Sequence, residues 1–440
     1  MTLCKTSLRE GTLTMPGETV SDETGENLGG AAGSSIGREW LRGLSAVVPP
    51  FRSIGAAFCD YRGTERNLAF DLIDDVSQLG FLERNHRLCL YPSIKGGPQI
   101  PLFNASALPR DIVSEHENLV QPPDVYVYGL VGHELGGYGL LSSGGKFFLK
   151  GDIIPNYFDN FFAEGSHMLP EIWRGAIFSP QADVIDVDGP VGVAFHPNMV
   201  YGHFLLEMLP RLYLLMRLRQ FGAAFSLAAP NDCGEWAKNI ARIFFKDEEI
   251  LWYNSKSQRI RARCFILPSM MHETYNFHPE FNVMAEHLAL YSIEGAKKRR
   301  LGSPRIYLSR SHLSDAWHGI DNEGSVESVL RDLGFDIIHP QEMSFEEQML
   351  CYTSAKMIVC EYGSAAHNSL FSPRGAKVVC INRLNSIQGN IGALRSQPHA
   401  FIPPTSGAFW DWRKPAEQQE SHYRVDLRIL KEVVLAFLAR

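Results

Sequence analysis

Between Arg305 and Ile381 short apolar runs alternate with helical patterns, and this alternation limits the possible folds more than any other feature. Arg305 to Ser311 (RIYLSRS) reads as a strand, and Asn322 stands at the N-cap of a helix, VESVLRDL, that ends at Gly334. Phe335 to Pro340 is the next strand. Ser344 and Glu347 form a capping box opening the helix EEQMLCYTSA. Lys356 to Cys360 is a third strand, followed by the loop Glu361 to Asn368, a helix through Phe371 and the strand Ala376 to Ile381. Strands that are apolar throughout are covered on both faces, as parallel strands are. Such a βαβαβ succession predicts a doubly wound α/β sheet, whose ligands bind beyond the carboxyl ends of the strands.

The first half carries the same signal less regularly. Phe225 to Pro230 and Arg263 to Ser269 are short apolar strands, and WAKNIARIFF between them is helical, which suggests a second Rossmann-like layer. Val125 to Lys150 reads as a β-meander, with Ser143-Gly144-Gly145 suited to a hairpin turn. The Gly-, Ser- and Glu-rich residues 1–40 are expected to be a disordered tail. Residues 41–296 form an expected N-terminal, acceptor-side domain, and no pattern gives residues 41–120 a role. The run Lys297-Lys298-Arg299-Arg300 opens a linker, 297–304; contact with anionic lipid or phosphate is its alternative use. Residues 305–400 form the expected nucleotide-sugar domain, and 401–440 a C-terminal segment whose helix, about Val425 to Leu438, docks through Leu427, Leu430, Val434 and Phe437.

Several classes are excluded or weakened. A net charge of −7, spread along the chain, argues against nucleic-acid binding. No apolar run reaches the roughly 18 residues a membrane span requires. The N-terminus lacks the apolar core of a signal peptide, so the expected location is the cytoplasm, extending to the inner face of the membrane by peripheral association. None of the eight cysteines has metal-ligand spacing, and no structural zinc is expected. Gly33 to Gly37 matches G-x-S-x-G but lacks the flanking strand and helix. His133-Glu134 begins a zincin motif that fails at Gly137. Asp186-Val187-Asp188 matches a D-x-D metal pattern that any acidic loop can produce.

Asn198 to Gln220 is the other unusual stretch. It is almost unbroken apolar from Tyr201 to Met216, yet it holds His203, Glu207 and Arg211 at four-residue spacing, on one stripe of a helix. A buried helix tolerates such groups only if they pair or face a wet cavity. Pro210 is expected to kink it. The stripe is therefore the wall of a polar cleft or an internal ion-pair ladder. At the other end, Gly363 and the small residues after it let backbone N–H groups approach an anion at a helix start, and Arg310 suits bidentate contact with phosphate.

Taken together, these stretches resemble glycosyltransferase family 61. The matching residues are Tyr201-Gly202-His203-Phe204, Glu207 and Leu209-Pro210-Arg211-Leu212; Tyr307-Leu308-Ser309-Arg310; Asn322-Glu323; Gly334-Phe335; Gln348; and Gly363-Ser364-Ala365-Ala366-His367-Asn368 with Leu370-Phe371. The resemblance runs from about Tyr126 to Asn382 and is nearest the bacterial members found with capsule and exopolysaccharide biosynthesis. It implies an inverting transferase of GT-B-like architecture, two Rossmann-like domains across a cleft, taking a nucleotide-sugar donor and a saccharide acceptor without cofactor or catalytic metal. On this reading His203 or Glu207 is the base, Arg211 steadies the carboxylate, and Arg310, Gly363, Ser364, Ala365, His367 and Asn368 hold the donor. Where family members often carry arginines before the Asn-Glu pair, this chain has Trp317-His318-Gly319-Ile320-Asp321. The competing readings are a metal-dependent GT-A-like transferase using Asp186 and Asp188, and a non-catalytic nucleotide- or polysaccharide-binding module.

Overall fold

In the computed structural model, two mostly parallel sheets carry the chain, and the α/β class holds. Apart from short strands at 57–59, 87–91, 100–101 and 119–120, the structure describes residues 122–142, 182–195, 200–295, 302–313, 319–382, 386–402 and 422–439, without 138 and 274. The expected tail at 1–40 and the basic run 297–300 lie outside the described residues.

The first sheet runs in the order Ile250–Tyr253, Ser226–Pro230, Asp183–Val193, Gln258–Pro268, Val125–Leu130, Arg87–Tyr91. The first four strands are mutually parallel, and Val125–Leu130 runs antiparallel to its neighbours on both sides. Numbered by chain position, the parallel strands stand 3-2-1-4, and the helix Glu235–Phe244 lies between the second and third as expected. The meander is corrected. His133–Gly136 and Gly139–Ser142 form a tight hairpin, with Gly137 at φ +59°, but Val125–Leu130 pairs with Gln258–Pro268 and not with this hairpin. The turn therefore sits at the first glycine pair, where a positive φ is required. The Ser143-Gly144-Gly145 turn proposed for the hairpin lies outside the described residues.

The second sheet follows the order Ala57–Cys59, His399–Ile402, Lys377–Ile381, Met357–Glu361, Arg305–Leu308, Asp336–Ile338. All but the first pair in parallel, and numbered by chain position from the Asp336–Ile338 edge these five stand 2-1-3-4-5. Ala57–Cys59 is an antiparallel edge strand here, although it falls in the stretch assigned to the first domain. The C-terminal helix Leu427–Ala439 buries Leu430, Val433, Val434 and Phe437, and Lys377 Nζ donates to Phe437 O at 2.6 Å near its end.

Local signals mostly did what they predict. Ser344 and Glu347 exchange both bonds of the capping box. The helix Glu323–Asp332 ends with Gly334 at φ +80° and a Phe335 N–H to Leu330 O bond at 3.0 Å. Asn322 differs. It holds the N-cap position, but its side chain bonds Val425 N and O, each at 3.0 Å, and so ties in the C-terminal segment.

One apolar core runs between the sheets, from Leu227 and Ile266 through Phe204 to Leu218, and on to Ile306, Ile358 and Val378. The segment read as a single kinked helix is its spine, and it has three parts. Tyr201–His203 is an α-turn, Phe204–Met208 a π-turn, and Leu209–Gln220 an α-helix. Pro210 has no N–H to give and its ring crowds the carbonyl four residues back; the wider turn just before it accommodates both.

Candidate functional site

Sheet order fixes where the two halves can present chemistry. In the second sheet the order reverses between Arg305–Leu308 and Met357–Glu361, and the chain leaving these strands is Ser309-Arg310 and Tyr362-Gly363-Ser364. In the first sheet it reverses between Asp183–Val193 and Gln258–Pro268. The segments that follow include the turn at Tyr201–His203 and the pair His272–Glu273 with Tyr275. Crevices at such switch points are where doubly wound sheets bind ligands.

The two switch points meet. A Cβ added to Gly202 would lie 2.9 Å from Ser364 Oγ and 3.0 Å from His367 Cδ2, so the glycine lets one turn rest on the other. Beside it, Tyr201 Oη lies 3.1 Å from both Gln348 Oε1 and Asn368 Oδ1, and burial pushes its pKa up. Asn368 is fully buried, and its Nδ2 reaches Tyr352 Oη at 3.4 Å and Ala365 O at 3.3 Å. Gln348 Nε2 bonds Pro340 O at 2.9 Å and Met343 O at 3.3 Å. Both amides are consumed inside the protein. Asn368 is therefore a joint between the halves.

On the next residue, His203 Nδ1 lies 2.8 Å from Glu207 Oε1 and 3.5 Å from Tyr275 Oη. Glu207 is 0% exposed, while the His203 side chain is 26% exposed. A carboxylate accepts only, so Nδ1 carries the proton and Nε2 is the acceptor nitrogen. Arg211 is buried to 1% exposure in the helix that follows.

Opposite, Gly363 has φ +155° and ψ 175°, a conformation confined to glycine, and a Cβ there would approach Arg310 Nη1 to 3.0 Å. The segment Ser364–Phe371 is a 3₁₀-helix and not the α-helix expected; its first N–H groups still lack partners four residues back. Arg310 is held from two sides. Glu361, buried at the strand end, has Oε2 3.3 Å from Arg310 Nε and accepts from Tyr423 Oη at 2.9 Å through Oε1. Glu323 accepts from Arg310 N at 2.8 Å and from Tyr307 Oη and Ser309 Oγ, each at 3.1 Å. Glu327 accepts from Ser309 Oγ at 2.8 Å and Ser311 Oγ at 2.9 Å. Despite the cost of its burial, these hydroxyls and Arg331 hold the Glu327 carboxyl below its ordinary range. The motif fragment Tyr307 to Arg310 and Glu323 thus form one hydrogen-bonded knot.

A family model described as Glycosyltransferase 61 matches residues 201–379, a span that begins at the His203 turn and includes both halves of this site. The match places residues 201–379 in glycosyltransferase family 61. The match supports a glycosyltransferase, an enzyme class that takes a sugar donor and an acceptor. No curated protein matches the chain.

Within this family 61 span, sequence reasoning joined His203 to Glu207 and pointed to Arg310 and Gly363. It missed Glu361, which ends an apolar strand, and Tyr275, which sits at φ +61° in a short loop. It also missed Gln388, treated below. The D-x-D pair lies on an outer stretch of the strand Asp183–Val193, where Asp186 Oδ1 accepts from Arg261 Nη1 at 3.2 Å. Asp186 is thus engaged in an exposed cross-strand ion pair. Among the described residues, no group of three or more His, Cys, Asp or Glu side chains has the geometry to hold a metal.

Proposed function

We propose that this glycosyltransferase uses a nucleotide-sugar donor and inverts the configuration at the anomeric carbon. The two sheets act as GT-B-like halves, residues 305–400 taking the nucleotide and the first sheet, within 41–296, taking the acceptor. The observation carrying this reading is the contact of the His203 turn with the Gly363 turn at the carboxyl ends of both sheets. The donor diphosphate lies against the N–H groups of Ser364 and Ala365 and the Arg310 guanidinium, which Glu361 aims. His203 Nε2 takes the proton of an acceptor hydroxyl; its oxygen bonds to the anomeric carbon from the face opposite the nucleotide. The bond to the diphosphate breaks and the electron pair leaves with it. Fixed N–H groups and a guanidinium stabilise that growing charge more than the ground state, so no catalytic metal is needed. Glu207 is too buried to reach an acceptor and instead orients His203, which favours the histidine as the base. The acceptor is a saccharide of a capsular or exopolysaccharide type, assembled in the cytoplasm or at the inner face of the membrane.

The test is transfer from a panel of nucleotide sugars to oligosaccharides, with the anomeric configuration of the product read by NMR. His203→Ala is expected to cut turnover by roughly 100-fold or more, and Glu207→Gln to cut it with little change in stability. A chelator should leave the rate unchanged. Retention of configuration, or full activity in both variants, would overturn this mechanism.

A further inference from the structure

Behind the His367 turn runs a buried chain of hydrogen bonds whose direction one peptide carbonyl decides. His399 is fully buried, and its Nδ1 lies 2.8 Å from Gln397 O. A carbonyl only accepts, so Nδ1 carries the proton. Burial drives the His399 pKa down to about 4, so the ring is neutral and its Nε2 is an acceptor. Gln388 Nε2, 3.1 Å from it, is then the donor, and it also reaches Ser369 Oγ at 2.8 Å. That fixes the amide, with Gln388 Oε1 turned to His367 Nδ1 at 3.0 Å. An amide oxygen accepts, so the His367 proton is on Nδ1 as well.

His367 is itself held neutral: burial lowers its pKa to about 4, helped by nearby His203 and opposed by the bond to Gln388. Its Nε2 bonds nothing among the described residues, and it is not among the polar atoms sealed from solvent without a partner. The ring edge bearing Nε2 is the edge against Gly202, whose added Cβ would meet Cδ2 at 3.0 Å. The lone pair therefore sits where the two turns meet, one residue from His203.

We infer that Gln388, set by His399 and the Gln397 carbonyl, is a positioning residue that locks His367 as a hydrogen-bond acceptor for a sugar hydroxyl. A neutral imidazole presenting only a lone pair has nothing to offer a phosphate oxygen, which is also an acceptor. The diphosphate is thus left to Arg310 and the Ser364 and Ala365 amides, and the His367 position selects a ligand with a hydroxyl at that point. This narrows the expectation that His367 holds the donor to a contact with a hydroxyl. The assignment of a sugar hydroxyl rests on the proposed function; the tautomer does not.

Histidine-¹⁵N NMR of the full chain tests it, with His367 assigned through His367→Asn. The expected spectrum shows protonated Nδ1 and unprotonated Nε2 at neutral pH, unchanged by inorganic pyrophosphate. In Gln388→Leu the His367 signals move towards a mixture of tautomers, while those of His203 stay put. A proton on Nε2 in the wild type, or pyrophosphate converting His367 to the doubly protonated form, overturns the inference. So does a Gln388→Leu variant that keeps the single tautomer. If that variant does not fold, the wild-type spectrum with and without pyrophosphate still decides. Sugar transfer is measured separately, so a protein with this tautomer and no transfer would sink the proposed function alone.

Discussion

His367 and His399 show how burial at single residues becomes a pH dependence. Both are neutral in the fold, with pKa values near 4, and both regain a value near 6.5 when unfolded. The unfolded chain therefore binds more protons below pH 6.5, and stability is complete above that value and drains as the pH falls towards 4. Each site is worth up to about 3 kcal/mol across that window. Urea midpoints measured from pH 7 to pH 4.5 should fall steeply in the wild type and less in a His367→Asn, His399→Asn double variant. Equal slopes in the two proteins would contradict it. Little of this could be read beforehand. His367 was singled out by the family motif that its loop resembles, but its partner Gln388 lies 21 residues away in a helix of ordinary composition. Glutamines in helices carry no signal of their own; only the return of the strand His399–Ile402 beside it gives this one a task.

At the scale of elements, the turns carry the specificity. Gly334 and Gly363 both have positive φ, but they do different work. Gly334 closes a helix, and alanine there costs about 1 kcal/mol of stability with no effect on ligand. Gly363 sits in a glycine-only region against Arg310, and Gly363→Ala costs roughly 1–3 kcal/mol and displaces the guanidinium. Calorimetric affinity for a nucleoside diphosphate should therefore fall in Gly363→Ala and hold in Gly334→Ala; parallel losses would mean that Gly363 only supports the fold. Elements with strong periodicity or caps, such as Phe345–Ser354, were legible from sequence because local chemistry decides them. The π-turn at Phe204–Met208 was not, since proline signals a break in an α-helix without saying how the chain absorbs it. The glycine-rich stretch after Leu130 read as a plain turn, but it holds the strand His133–Gly136, which pairs with Gly139–Ser142.

Across the whole molecule, the sheets share one apolar core, and polar joints pin them at the rim. Tyr201 is the main pin, bonding residues 147 and 167 positions away. Tyr201→Phe leaves the buried amides of Gln348 and Asn368 short of a donor and should cost about 1–3 kcal/mol, seen as a lowered thermal midpoint. An unchanged midpoint would show that the halves are held by apolar packing alone. The doubly wound second sheet was legible in its run of apolar strands. The strand Ala57–Cys59 at its edge was not, because nothing local reveals a partner more than 300 residues away.

The claim on which the account turns is that a pyrophosphate binds between Arg310 and the Gly363 turn, facing His203. Isothermal titration of nucleoside diphosphates into the wild type and Arg310→Ala tests it most directly. One of them should bind the wild type, with affinity falling roughly 10- to 100-fold in the variant as a charge-assisted contact is lost. Equal affinity in the two proteins, or no binding of any nucleoside diphosphate to the wild type, would contradict it.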